Sequence, residues 1–223
     1  MPLVPGTPNP HNMESRTTSI IAAVALMAAT TVATAQGPAF GVKAGLNYST
    51  LAVNEADDEN ARLGFNGGVF ARTAPEAPFG LQVELLYSTK GTHTTYSAVF
   101  GLIDQEVDFN LNYLELPVLA SLRVADVIDI HLGGYAGYLL SAKVSTSGDL
   151  GSGSEELDRD NFTSMDYGLA VGAGLNIGES LQVGVRYTHG LAQVADGDAS
   201  ELVLDDATNR CLQLYLGIGV GGR

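Results

Sequence analysis

Residues 109–124 read FNLNYLELPVLASLRV, and from Asn112 onward every second position is apolar: Leu114, Leu116, Val118, Ala120, Leu122 and Val124. Tyr113, Glu115, Pro117, Leu119, Ser121 and Arg123 alternate with them. A side-chain period of two marks a β-strand, and this run is longer than the usual strand of about 5–6 residues. All of its charges fall on one row. A sheet built from such segments has one face in an apolar medium and holds its charges on the other.

Seven further stretches alternate in the same way, giving eight in all: 39–51, 62–73, 79–90, 109–124, 128–143, 163–177, 181–194 and 210–220. One row in each is Leu, Val, Ile, Ala, Phe or Tyr. The opposite rows carry Lys43, Arg62, Arg72, Lys90, Arg123, Lys143 and Arg186 against Glu84, Glu115 and Asp166. The connections alternate in length. Short ones follow the second, fourth and sixth stretches (74–78, 125–127 and 178–180), and long polar ones follow the first, third, fifth and seventh (53–61, 91–106, 145–162 and 195–209). With an even strand number, all short turns and both termini fall at one end and all long loops at the other. That is the layout of an outer-membrane barrel, in which the turns are periplasmic and the loops extracellular.

The lengths agree with this reading, since a strand crossing the hydrocarbon layer needs about 9–11 residues. Lipid offers no hydrogen bonds, so the outer row must be apolar and the sheet must close on itself. The expected fold is therefore all-β: an eight-stranded antiparallel up-and-down transmembrane β-barrel, preceded by a cleaved signal peptide. An eight-stranded barrel is just filled by its own side chains, so Lys43, Arg72, Glu84, Glu115, Arg123, Asp166 and Arg186 are expected to pair inside it, because unpaired buried charge is costly. Pro117 lacks an amide hydrogen and should mark a bulge or a missing ladder bond. The inner row of 163–177 (Asp166, Gly168, Ala170, Gly172, Gly174, Asn176) is nearly bare and leaves room for a long neighbour such as Arg186.

Composition narrows the function. Twenty-seven glycines, nine tyrosines and no tryptophan suit a β-protein. The net charge is −14, with 25 acids against 11 bases, which excludes a nucleic-acid binder with its basic face. Sixteen of the 25 acids lie in the four long loops, where they make a solvated rim. Asp57, Asp58, Asp196 and Asp198 are weak candidates for a divalent cation, because oxygen-rich loops suit calcium, although Asp196-Gly197-Asp198 lacks the rest of a twelve-residue calcium loop. The one cysteine, Cys211, excludes an internal disulfide and reads as a buried thiol.

The first 35 residues read as an address. Arg16 precedes the apolar stretch 20–29, and Ala33-Thr34-Ala35 fits the cleavage rule for small residues. Met13 reads as the start, with the twelve residues before it as an extension. The expected division is 1–35, extension and signal peptide, and 36–223, barrel domain.

Catalytic chemistry is not indicated. The histidines at 11, 93, 131 and 189 show no metal-ligand spacing. His131 reads as an interior polar group, and His189, two residues after Tyr187 on the outer row, as an interfacial one. Gly172-Ala173-Gly174 lies within a strand and is not a dinucleotide loop. No nucleophile elbow is present. The chain is expected to be neither an enzyme nor to carry a cofactor.

The blocks FGVKAGLNYSTL, NYLELPVLASL and DYGLAVGAGLNIG…LQVGVRYTHGLAQV resemble the PorT-like outer-membrane β-barrel family over about residues 39–220. The resemblance implies an eight-stranded barrel in the outer membrane of a Gram-negative bacterium, without enzymatic activity, and in some members an association with secretion or gliding. The chain departs from many such barrels in ending Gly221-Gly222-Arg223 rather than on an aromatic residue. The function expected is a structural or interaction role through the acidic extracellular loops, with outer-membrane lipid and either a protein or divalent cations as partners. Two alternatives stand beside it. A soluble periplasmic lipocalin-like ligand-binding barrel needs an apolar interior, and a narrow solute channel needs unpaired interior charges.

Overall fold

The computed structural model describes residues 39–52, 61–73, 75, 77–98, 103–125, 127–148, 153–157, 163–178, 180–194 and 207–221. Residues 1–35, expected to be an extension and signal peptide, lie outside the described residues. The described residues form nine strands: β1 (Ala39–Ala52), β2 (Arg62–Arg72), β3 (Phe79–Ala98), β4 (Ile103–Val124), β5 (Ile128–Gly148), β6 (Gly153–Leu157), β7 (Met165–Ile177), β8 (Leu181–Gln193) and β9 (Thr208–Gly221). Eight of them close a ring. The sheet order is β4-β3-β2-β1-β9-β8-β7-β5, and an additional β4–β5 pairing joins its ends. Every pairing is antiparallel. Closure gives each backbone donor and acceptor in the ring a neighbouring strand, which is the condition for a sheet to live in lipid.

The ninth strand, β6, pairs with β5 over Ala142–Thr146, above the point where β7 takes over that edge. Within the stretches expected as polar loops at 91–106 and 145–162, residues 91–98, 103–106, 145–148 and 153–157 are thus strand. β3, β4 and β5 run 20, 22 and 21 residues, about twice what a membrane crossing requires, and the excess projects at the loop end as a polar sheet. Sequence patterning missed it because 91–98 and 145–148 are mostly Thr, Ser and Gly, and because the apolar row of β4 at Val107, Phe109 and Leu111 lies on the inner side, opposite to the lipid-facing row that begins at Leu114.

Side-chain rows follow the expected phase over most of the ring. Phe40, Val42, Leu46, Leu85, Leu114, Leu132, Leu169, Val185, Leu214 and Ile218 all stand exposed on the outside, the inverse of a soluble protein. The short turns lie at the opposite end from the projecting sheet. Two of them place their first residue in the left-handed region, Ala125 at φ 53° and Gly178 at φ 65°; glycine enters that region without steric penalty and alanine does not.

Pro117 interrupts one ladder as expected. The β3–β4 pairing passes from Val83↔Val118 to Leu86↔Glu115 without change of register, while Pro117 keeps its partner Tyr135 on β5. The bulge lies elsewhere, where Asn112↔Ser141 is followed by Tyr113↔Leu139 and Leu140 is the additional residue. It reverses the phase of β5 above it. Ala142 turns inward, and Lys143, expected inside, is exposed on the outer face.

Candidate functional site

The interior is filled by three tiers of polar side chains. Nearest the short turns, Asp129 accepts from Arg72 Nη1 at 2.7 Å, Arg123 Nε at 3.0 Å and Gln182 Nε2 at 2.9 Å. Gln82 Oε1 accepts from Arg72 Nε and Nη2 at 2.8 and 2.6 Å. Arg123 lies at the rim of this tier, its side chain 14% exposed. Phe70, also on an inner row, lies over Gly217 and Gly219, where a Cβ would come within 3.5 and 3.6 Å of its ring.

The middle tier centres on Glu84. Arg186 donates to it in a fork, Nη1 to Oε2 at 2.8 Å and Nη2 to Oε1 at 2.7 Å, and Lys43 Nζ donates to Oε1 at 2.8 Å. Two parallel charged bonds make the Arg–carboxylate fork the strongest geometry available to such a pair. The Lys43 ammonium also sits 3.6 Å from the centroid of the Tyr215 ring, a cation–π contact in a site removed from water. His131 is buried, with Nδ1 3.4 Å from the Tyr215 hydroxyl.

In the third tier Lys90 contacts Glu115 Oε1 at 2.6 Å and Asp166 Oδ2 at 3.1 Å. The Glu115 contact is ionic rather than a directed hydrogen bond. The ammonium lies 4.4 Å from the Tyr135 centroid. Asp166 also accepts from the Tyr135 hydroxyl at 3.2 Å and from Asn209 Nδ2 at 3.1 Å. Above this tier an apolar cluster of Leu51, Leu111, Tyr113, Leu139, Ala142, Val194 and Ala207 closes the loop end.

These contacts bring five of the seven predicted interior charges, joined by Lys90, into two clusters, Lys43–Glu84–Arg186 and Lys90–Glu115–Asp166, while the other two, Arg72 and Arg123, meet on Asp129 in the tier nearest the short turns. Sequence reasoning missed Asp129, although its signal was present, since it shares the phase of His131 and Tyr135. With it, the buried Lys, Arg, Asp and Glu among the described residues balance: Lys43, Arg72, Lys90 and Arg186 against Glu84, Glu115, Asp129 and Asp166. Small inner-row residues make space for the long ones. Gly172 faces Arg186 across β7–β8, and a Cβ there would lie 3.2 Å from that of Arg186. A Cβ on Gly184 would lie 2.4 Å from the Tyr215 ring. Lys90 is 0% exposed, and Glu84, Glu115 and Arg186 are each 1% exposed, so these side chains pack without water-sized gaps beside them.

The cation candidates Asp57, Asp58, Asp196 and Asp198 lie outside the described residues. Among the described residues no cluster of three or more His, Cys, Asp or Glu side chains is placed to hold a metal. Cys211 is buried on the inner row of β9. No described helix is long and apolar enough to cross a membrane; the crossing elements are strands.

A family model described as the outer membrane protein beta-barrel domain matches residues 34–196. The chain belongs to this family. It is a small outer-membrane β-barrel protein, and the exposed apolar belt is its contact with lipid. No curated protein matches it. Among solved structures it is similar to Ail of Yersinia pestis in complex with the heparin analogue sucrose octasulfate, at 16% identity over 82% of this chain and 99% of that one, with a TM-score of 0.43. It is also similar to Neisserial surface protein A, at 16% identity over 81% and 97% with a TM-score of 0.48. CarO of Acinetobacter baumannii shares 12% identity over 81% and 97%, with a TM-score of 0.40. At this level of similarity no ligand or role transfers to this outer-membrane barrel.

Proposed function

We propose that the chain is a non-conducting, non-catalytic outer-membrane barrel that acts through its extracellular end, as a structural or interaction protein of the PorT-like kind. Export through the leader at 1–35 and a barrel domain at 36–223 belong to this reading. The supporting observation is the packed interior. Its buried charges pair in three tiers and an apolar cluster lies over them, an arrangement that supports a closed interior among the described residues. Activity is then left to the surface, where β3 to β6 project above the membrane and the long loops carry most of the acids. A protein partner, or divalent cations held by Asp57, Asp58, Asp196 and Asp198, would meet the chain there, and a role in secretion would be exercised by the same surface. A lipocalin-like role is disfavoured because the interior is polar and the exterior apolar.

The refolded full chain in planar lipid bilayers tests this. The expected record shows no steady single-channel conductance, and insertion is verified on the same preparation by a faster-migrating unboiled band. A reproducible open state would replace the interaction reading with the channel reading.

A further inference from the structure

Lipid-facing rows should carry no charge in the hydrocarbon, yet one such row carries an arginine. On the outside of the barrel at the loop end, Tyr187, Leu212 and Tyr48 are cross-strand neighbours on β8, β9 and β1. One alternate position higher, His189, Arg210 and Thr50 repeat the arrangement, with His189↔Arg210 and Thr50↔Arg210 paired. All three are half-buried. The Tyr187 hydroxyl lies 3.4 Å from His189 Nδ1. Arg210 Nε and Thr50 Oγ1 are shielded from solvent and have no hydrogen-bond partner. Among the described residues, the neighbouring outward positions Tyr48, Tyr187, Thr208 and Leu212 hold no carboxylate. Lys143, the other base on an outward row of the described strands, stands opposite Glu156 in the β5–β6 register.

Height decides what Arg210 meets. Below it on β9 the outward row is apolar from Leu212 to Val220. That row rises about 20 Å at the usual strand rise and tilt, close to the roughly 25 Å apolar band of such barrels. Arg210 therefore stands at the upper margin of the band, beside tyrosines of the kind that mark the interface. An arginine costs little there and a great deal at the midplane. Outer-leaflet headgroups lie at that level, and a guanidinium fork matches the geometry and charge of their phosphates.

We propose that His189, Arg210 and Thr50 form a binding site for the phosphate group of an outer-leaflet lipid, with Tyr187 and Tyr48 packing on its acyl region. Arg210 supplies the charged donors, Thr50 a hydroxyl donor, and His189 a further N–H. The site fixes the rotational face of an otherwise acidic barrel against anionic lipid.

The full-length folded protein, exchanged in micelles containing diphosphoryl lipid A or phosphatidylcholine, is examined by native mass spectrometry. Wild type should retain the phosphorylated lipid over phosphatidylcholine. Occupancy should fall about tenfold in Arg210→Gln, the size of one charged hydrogen bond, with a smaller loss in His189→Gln and retention in Arg210→Lys. An unboiled fast-migrating band shows each variant folded; should Arg210→Gln fail to fold, His189→Gln and Arg210→Lys carry the comparison. Equal occupancy of both lipids in wild type, or the same loss in Lys143→Gln as in Arg210→Gln, overturns the site. Displacement of the lipid by millimolar inorganic phosphate would make it a free-phosphate site and overturn the lipid assignment.

Discussion

Glu84 is the residue on which the middle of the barrel depends, and replacing it with glutamine tests the packed-interior reading most directly. The substitution keeps shape and volume and removes the charge. In the native barrel this carboxylate takes two bonds from Arg186 at 2.7 and 2.8 Å and one from Lys43 at 2.8 Å, and all three side chains are buried. The nearest remaining acids serve the other tiers: Glu115 and Asp166 contact Lys90, and Asp129 contacts Arg72 and Arg123. Glutamine therefore leaves two cations in a water-free space without a counter-charge, and turns an N–H group toward donors that need an acceptor. Breaking a buried pair by removing one partner costs about 3–5 kcal/mol. Two stranded cations place the expected loss at the upper end, about 4–5 kcal/mol, or roughly three powers of ten in the folding equilibrium. Urea unfolding in short-chain phosphatidylcholine vesicles, followed by loss of the unboiled fast band, measures it. The double variant Lys43→Met with Glu84→Gln should recover part of the loss, because one stranded charge is then gone while Arg186 still lacks its fork. A change below about 1 kcal/mol, the scale of an exposed pair, would show that water reaches this tier and would refute the packed interior.

Two further outcomes follow from the same geometry. Gly184→Ala places a Cβ 2.4 Å from the Tyr215 ring and 2.6 Å from the Ala173 carbonyl oxygen, so the ring that carries Lys43 must move; an overpacking cost of about 1–3 kcal/mol is expected in the same unfolding assay, and wild-type stability would show that the ring has another seat. Leu216→Arg, on the outward row of β9 midway between Leu212 and Val220, should cost about 2–4 kcal/mol as a midplane arginine, and an unchanged midpoint would mean that this face does not meet lipid.

Much of the architecture was legible along the chain because a membrane imposes a simple rule. Lipid accepts no polar group on the outer row, so apolar residues recur at every second position for the full crossing length, and residues such as Leu114 to Val124 declared their side without any knowledge of their neighbours. The alternation of short and long connections then set the two ends of the barrel. Where the rule lapses, so did the reading: above the lipid, β3 and β5 continue as strands with polar residues on both faces, and in β4 the apolar row of Val107, Phe109 and Leu111 lies on the inner side instead of the outer one.

Side could be read from sequence, but partnership could not. The fork joins Arg186 to Glu84 across 102 residues, and Lys43 reaches the same carboxylate across 41; which inner-row charges meet depends on strand order, register and tilt, all of which exist only once the ring has closed. A single bulge at Leu140 moved Lys143 from the interior to the surface, since one additional residue reverses every side chain beyond it. Closure also brought Asp129 between Arg72 and Arg123 to complete the balance of charge. The sequence by itself determined which face each residue belongs to, because that is a contest between one side chain and its solvent. The tertiary structure alone decided which charges neutralise one another, because that is a matter of distances between strands far apart in the chain.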